Sequence, residues 1–120
     1  MAYLILLLQL FSFPQAEPVE WLQEMTVAAG DTFQHQPVTY TFRYRNLTDA
    51  PLTVDNVRVG CGCTATEWQE TPVAPGGVGS INVTYDATNA GYYRKYAKVY
   101  FRGHRGGHKL WLEGFVESAD

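Results

Sequence analysis

The chain has 120 residues, a net charge of −3 and no long run of basic residues. This length fits one domain, and the nine Lys and Arg residues are spread among twelve Asp and Glu residues, so a nucleic-acid partner is excluded on charge. Aromatic residues make up 14% of the chain and charged residues 18%, which is typical of β-strands rather than of charged helices. We therefore expect a single β-rich domain.

The first sixteen residues, MAYLILLLQLFSFPQA, form an apolar segment that differs from the rest of the chain. Its apolar run from Tyr3 to Phe13 is shorter than the roughly 20 residues that a transmembrane helix needs. The run fits a secretory signal peptide that is cleaved after Ala16, and the alternative is a buried N-terminal strand. The prediction is an extracytoplasmic domain of residues 17–120, periplasmic or secreted, with no transmembrane span after signal removal.

The remainder of the chain divides into short alternating segments separated by Gly, Pro, Asn and Asp. In VTYTFRYR, residues 38–45, every second side chain is apolar, as in a strand with one buried face. Residues 52–59 show the same pattern with a shift between Val54 and Val57, which indicates a β-bulge or an early bend. Further strands are expected at residues 80–86, 92–101 and 108–116, and one near residues 22–28, although residues 20–36 could instead hold two edge strands or a helical turn.

The strands at 92–101 and 108–116 are predicted to form a hairpin. With Phe101 opposite His108, Val99 faces Leu110 and Ala97 faces Leu112, all inward, while Lys95 lies opposite Gly114. About seven short strands with a turn every 8–12 residues predict an all-β fold, an immunoglobulin-like antiparallel β-sandwich.

Both cysteines lie in VRVGCGCTATEW, residues 57–68, separated by one glycine. Three interpretations stay open. Cys61 and Cys63 could belong to a structural turn in which glycine supplies unusual dihedrals. They could instead form a labile redox pair, since a three-residue loop gives a disulfide little entropic advantage. A soft metal ion could also bind the two thiolates with His104 and His108.

The motifs NLTDAPL, GCGCT, PGGVG, GYYRK and LWLEGFV, taken together, resemble the bacterial family called domain of unknown function 1573. The resemblance covers most of the chain from Gly30 onward, and the Cys-Gly-Cys-Thr block is its most specific part. It implies an immunoglobulin-like sandwich in exported proteins, with no activity assigned.

The outward side chains of the final hairpin form a row of aromatic rings: Tyr92, Tyr96, Tyr100, Trp111 and Phe115. Tyr96 and Trp111 are expected to be diagonal neighbours. Such a strip binds a protein or a glycan, or it is covered by the N-terminal segment, or it only stabilises the hairpin. Because the chain lacks the usual catalytic motifs, we expect no enzyme activity and no cofactor. The favoured hypothesis is a non-catalytic binding or structural module, and the alternative is a thiol site.

Overall fold

Alternating apolar side chains build eight strands in the computed structural model, which describes residues 17–119. The predicted signal peptide, residues 1–16, lies outside the described residues. The strands are β1 (Val19–Trp21), β2 (Thr26–Phe33), β3 (Val38–Asn46), β4 (Val54–Val59), β5 (Thr64–Trp68), β6 (Val78–Tyr85), β7 (Gly91–Phe101) and β8 (His108–Glu117).

The strands form two four-stranded sheets, one in the order β1-β3-β6-β5 and the other in the order β2-β8-β7-β4. Neighbouring strands are antiparallel except β2 and β8, which are parallel. The two sheets pack face to face, so the predicted all-β sandwich is confirmed, with eight strands and one parallel pair. Within residues 17–119 no helix is long or apolar enough to span a membrane.

The core lies between the sheets and comes from the inward positions of the alternating segments. Phe42, Ile81 and Val83 of the first sheet are fully buried. Ala97, Val99, Leu110 and Leu112 of the second sheet are equally inaccessible and were all predicted to face inward. Burying a large aliphatic side chain contributes about 1.5–3 kcal/mol, so this period-two pattern dominates the stability of the fold.

The N-terminal region contains two edge strands, which was one of the alternatives, and the single strand predicted near residues 22–28 is wrong in position. β1 belongs to the first sheet and β2 to the second, so residues 22–25 must carry the chain across the sandwich. The bulge predicted in residues 52–59 is confirmed, because the register of β4 against β7 shifts between Val54 and Asn56.

The hairpin of β7 and β8 is present, but its predicted register is wrong by two residues. Val99 pairs with His108, Ala97 with Leu110, and Tyr93, rather than Lys95, with Gly114. A two-residue shift leaves the same side chains inside, so the apolar pattern alone does not distinguish the two registers. Close packing does, because a Cβ atom on Gly114 would lie 2.7 Å from the hydroxyl oxygen of Tyr93 and 2.5 Å from the carbonyl oxygen of Gly30.

Candidate functional site

The outer surface of β7 and β8 carries the row of rings predicted from the sequence: Tyr92, Tyr96, Tyr100, Trp111 and Phe115, here called the aromatic face. Tyr96 and Trp111 are directly opposite in the register, not diagonal, and their ring centroids are 5.3 Å apart. Tyr92 and Phe115 also face each other, and both are exposed. The five rings therefore lie on two paired strands rather than at scattered surface positions.

Cationic side chains lie over these rings, which the sequence interpretation missed. The guanidinium carbon of Arg94 is 3.9 Å from the Trp111 ring centroid, and the Lys109 ammonium is 4.7 Å from that of Tyr96. Lys98 and Arg58 approach Tyr100 at 5.4 and 5.5 Å. The signal was present in the sequence, because Arg94 and Lys98 share the parity of the tyrosines along β7 and must face the same side.

The face is electrostatically uneven. Arg94 forms an ion pair with Glu113 at 3.2 Å, and the Tyr92 hydroxyl donates a hydrogen bond to the same carboxylate, which raises the pKa of Tyr92. Lys98 and Lys109, in contrast, are directly opposite each other in the β7–β8 register. Within residues 17–119 neither lysine lies in salt-bridge range of a carboxylate. Like charges placed directly opposite destabilise a sheet, so the two lysines form a local positive patch on the face.

Two glycines make room for the rings and the cations. A Cβ atom on Gly60 would lie 2.7 Å from a ring carbon of Tyr96, and one on Gly107 would lie 2.6 Å from the Cε of Lys98. Tyr96 therefore lies across the end of β4 and over the residue that precedes Cys61. The aromatic face and the cysteine motif are thus adjacent in space.

The cysteine motif forms the corner at which the chain leaves β4 in one sheet and enters β5 in the other. The Thr64 amide donates a hydrogen bond to the Cys61 carbonyl at 3.3 Å, and the Asp86 amide donates to the Cys63 carbonyl at 2.9 Å. The bend brings the two Cα atoms to 5.3 Å, and the Cys61 and Cys63 sulfurs are bonded as a disulfide. A turn and a disulfide, offered as alternatives on sequence, coexist here.

Hydrogen-bond donors surround the two sulfurs. The Cys63 amide donates to Cys61 Sγ at 3.3 Å. The hydroxyl of Thr64, whose side chain is buried, lies 3.9 Å from Cys61 Sγ and 3.7 Å from Cys63 Sγ. Beside Cys61 is a cavity of about 150 Å³ lined by Gly60, Cys61, Thr64, Arg94, Lys95 and Tyr96.

The histidines proposed as metal partners are not brought to the cysteines. His108 pairs with Val99, whereas Cys61 follows Val59, which pairs with Ala97, so the two sites are displaced along the sheet and separated by β7. His104 lies in the turn beyond Phe101, farther still. Among residues 17–119 no group of three His, Cys, Asp or Glu side chains could hold a metal ion.

His108 instead takes part in core packing. Its Nδ1 accepts a hydrogen bond from Trp21 Nε1 at 3.2 Å, and its ring packs against Phe101 at 5.5 Å. Burial lowers the pKa of His108, with a smaller opposing effect from Glu17.

Two face-to-face sheets with a cross-sheet corner define an immunoglobulin-like β-sandwich. The chain belongs to the family described as protein of unknown function (DUF1573), whose model matches residues 20–116. This confirms the resemblance noted from the sequence motifs. No curated protein matches the chain in sequence.

Several solved structures share the fold. A protein of unknown function from Porphyromonas gingivalis W83 has a TM-score of 0.63 at 12% identity, over 87% of this chain and 51% of that one. The ASH / PapD-like domain 7 of human CEP192 has a TM-score of 0.66 at 11% identity, over 90% and 94%. The secreted serine protease VesC from Vibrio cholerae matches over 82% of this chain but 23% of its own, with a TM-score of 0.59 at 15% identity.

The chain thus spans about half of the Porphyromonas protein and about a quarter of the protease. At these identities the likeness shows the fold alone. The matches therefore establish an immunoglobulin-like domain of unknown function.

Proposed function

We propose that this domain is a non-catalytic binding module of the cell envelope, and that its aromatic face binds an acidic glycan. The observation that carries the proposal is the alternation of rings with cations on one exposed surface, where Lys98 and Lys109 face each other without a carboxylate partner in residues 17–119. A polyanion would relieve the repulsion between the two lysines.

The chemistry of the face favours a glycan over a protein. Aromatic rings offer flat apolar area on which a sugar ring can stack, and the cations beside Trp111 and Tyr96 supply donors for carboxylate or sulfate groups. The cores of protein–protein interfaces are depleted in lysine. Lys98 and Lys109 lie opposite each other on this face, next to the Tyr96–Trp111 pair.

Binding of heparin and polygalacturonate, with neutral dextran as a third probe, tests the proposal by calorimetry. We expect both polyanions to bind, dextran not to bind, and the affinity to fall about tenfold between roughly 50 and 200 mM salt. Trp111→Ala and Lys109→Gln should each weaken binding about tenfold. Arg105→Gln, which removes an exposed cation from the turn between β7 and β8, is the matched control and should change affinity little.

Equal effects of Lys109→Gln and Arg105→Gln would contradict the assignment of the face. Binding to neither polyanion would contradict the acidic-glycan proposal and favour a protein partner.

The envelope location is supported by the apolar segment at residues 1–16 and by the disulfide, which persists in oxidising compartments. Fusion of residues 1–16 to a reporter enzyme that is active only after export should give activity outside the cytoplasm. A fusion that remains cytoplasmic and inactive would contradict this location.

A further inference from the structure

The geometry points to the Cys61–Cys63 disulfide as a thiol–disulfide exchange site that accepts two electrons from a dithiol. This activity goes beyond the proposed glycan binding and does not depend on it.

The disulfide closes a loop that is too short to stabilise the fold appreciably. Cys61 and Cys63 are separated by two positions, and the entropic stabilisation that a disulfide provides grows with the length of the loop. The corner is in any case held by backbone hydrogen bonds from Thr64 and Asp86. Loss of the S–S bond therefore removes little that the fold needs.

The two cysteines have different surroundings. Cys61 borders the 150 Å³ cavity, whereas Cys63 packs against the hydrophobic core. An incoming thiolate can thus approach Cys61 from the cavity, with Cys63 as the leaving group. Arg94 and Lys95 line the same cavity, and cations near a cysteine favour its thiolate form.

The step balances as an exchange. One thiolate of the dithiol attacks Cys61 Sγ, a mixed disulfide forms there, and the S–S bonding pair leaves on Cys63 Sγ. The second thiolate of the dithiol then attacks the dithiol's first sulfur, which is bonded to Cys61 Sγ in the mixed disulfide. A disulfide forms within the dithiol, and Cys61 leaves as a thiolate. The dithiol is oxidised to a disulfide, the cysteine pair is reduced, and protons pass from the donor thiols to the product thiolates.

Donors are in place for both leaving groups. The Thr64 hydroxyl is 3.7 Å from Cys63 Sγ, and the Cys63 amide is 3.3 Å from Cys61 Sγ. Because the backbone of the corner keeps the two cysteines adjacent, the reduced pair can be reoxidised without unfolding.

The test is reduction of the folded full chain by about 1 mM dithiothreitol, and by about 10 mM reduced glutathione, followed by alkylation and mass spectrometry. We expect two alkyl groups per chain without denaturant, full reversal by oxidised glutathione, and a melting temperature within about 5 °C of the oxidised form. Thiols that appear only after unfolding, or a reduced domain that no longer folds, would overturn the inference.

Thr64→Val should slow native-state reduction about three- to tenfold, since it removes the hydroxyl near both sulfurs. Thr64→Ser keeps that hydroxyl and should restore the rate. Thr66→Val is the matched control, since it makes the same change two residues along β5 and should leave the rate unchanged. Equal rates for Thr64→Val and Thr66→Val would show that the Thr64 hydroxyl does not assist the exchange and would overturn that part of the assignment.

Discussion

Asn46 lies at the end of β3 with 1% of its surface exposed, and its amide makes four hydrogen bonds. Nδ2 donates to the carbonyls of Ala50 and Val73, at 2.8 and 2.9 Å. Oδ1 accepts from the amide and the hydroxyl of Thr48, at 2.8 and 2.7 Å. The Asn46 side chain thus hydrogen-bonds to backbone groups of the turn that follows β3, and it connects this turn to the loop before β6.

Asn46→Ala should lower the free energy of unfolding by about 3 kcal/mol, because it removes four hydrogen bonds made by a buried side chain. Chemical denaturation measures the change. Asn89→Ala, at an exposed position, is the matched control and should stay within about 0.5 kcal/mol of the parent. A loss of less than about 1 kcal/mol for Asn46→Ala would contradict this role.

Tyr93 presents the opposite case, a buried polar atom without a partner. Its ring stacks on Tyr85 at 4.4 Å, and its hydroxyl has no hydrogen bond to any of the residues that the structure describes. Burial raises the pKa of Tyr93. An unsatisfied buried hydroxyl costs free energy.

Tyr93→Phe should therefore leave the melting temperature unchanged or raise it, with a gain of up to about 1 kcal/mol in the free energy of unfolding. Tyr93→Ala should lose about 3–5 kcal/mol, since it also removes the stacked ring. A clear drop in melting temperature for the phenylalanine variant would show that the hydroxyl is bonded in solution.

At the scale of the element, β1 is held to the opposite sheet through the hydrogen bond from Trp21 to His108. Nδ1 of His108 must be unprotonated to accept it. The pKa of His108 is lowered by burial, so the unfolded chain binds more protons than the folded one at pH values between that lowered pKa and the ordinary value of about 6.5.

Stability should consequently fall as the pH drops below about 6.5, and this loss should level off once the pH is below the folded-state pKa. Denaturation midpoints at pH 7.5 and 5.5 measure the effect. His108→Gln should reduce the difference between the two midpoints, and His104→Gln, at an exposed turn position, should not. Identical pH dependence in both variants would contradict this assignment.

The end of β4 shows how an element can depend on a missing side chain. Gly60→Ala places a methyl group against the Tyr96 ring, whereas Gly62 has no atom within 4 Å of the corresponding position. We expect Gly60→Ala to lower the melting temperature by several degrees, from a cost of about 1–3 kcal/mol, and Gly62→Ala to leave it nearly unchanged. Equal melting temperatures for the two variants would show that the Tyr96 ring moves aside freely.

At the scale of the whole molecule, the period-two pattern was sufficient to predict which faces of β3, β7 and β8 point inward. Phe42 and Leu110 were assigned to the interior because alternation in a half-buried strand allows only one apolar face. The aromatic face followed from the same rule, since it occupies the other parity of β7 and β8. The cations on that face were equally readable, because Arg94 and Lys98 share that parity.

Other features depend on distances that no local pattern specifies. The hairpin register depends on the close contact between Gly114 and Tyr93, because a shift of two residues would bury the same set of side chains. The disulfide depended on a bend that brings Cys61 and Cys63 closer than extended backbone would. Nothing in residues 26–33 indicates a parallel partner, since an edge strand carries its own alternation but not the identity of its neighbour.

That parallel pair sets the order in which the domain can assemble. β2 pairs with β8, from Thr26 opposite Trp111 to Phe33 opposite Glu117, so β2 cannot dock in its sheet until β8 has left the ribosome. Contacts between such distant segments form late, because a long loop must close before they are made. β2 therefore has no partner in its own sheet until β8 has been synthesised, and the second sheet cannot be completed before that point.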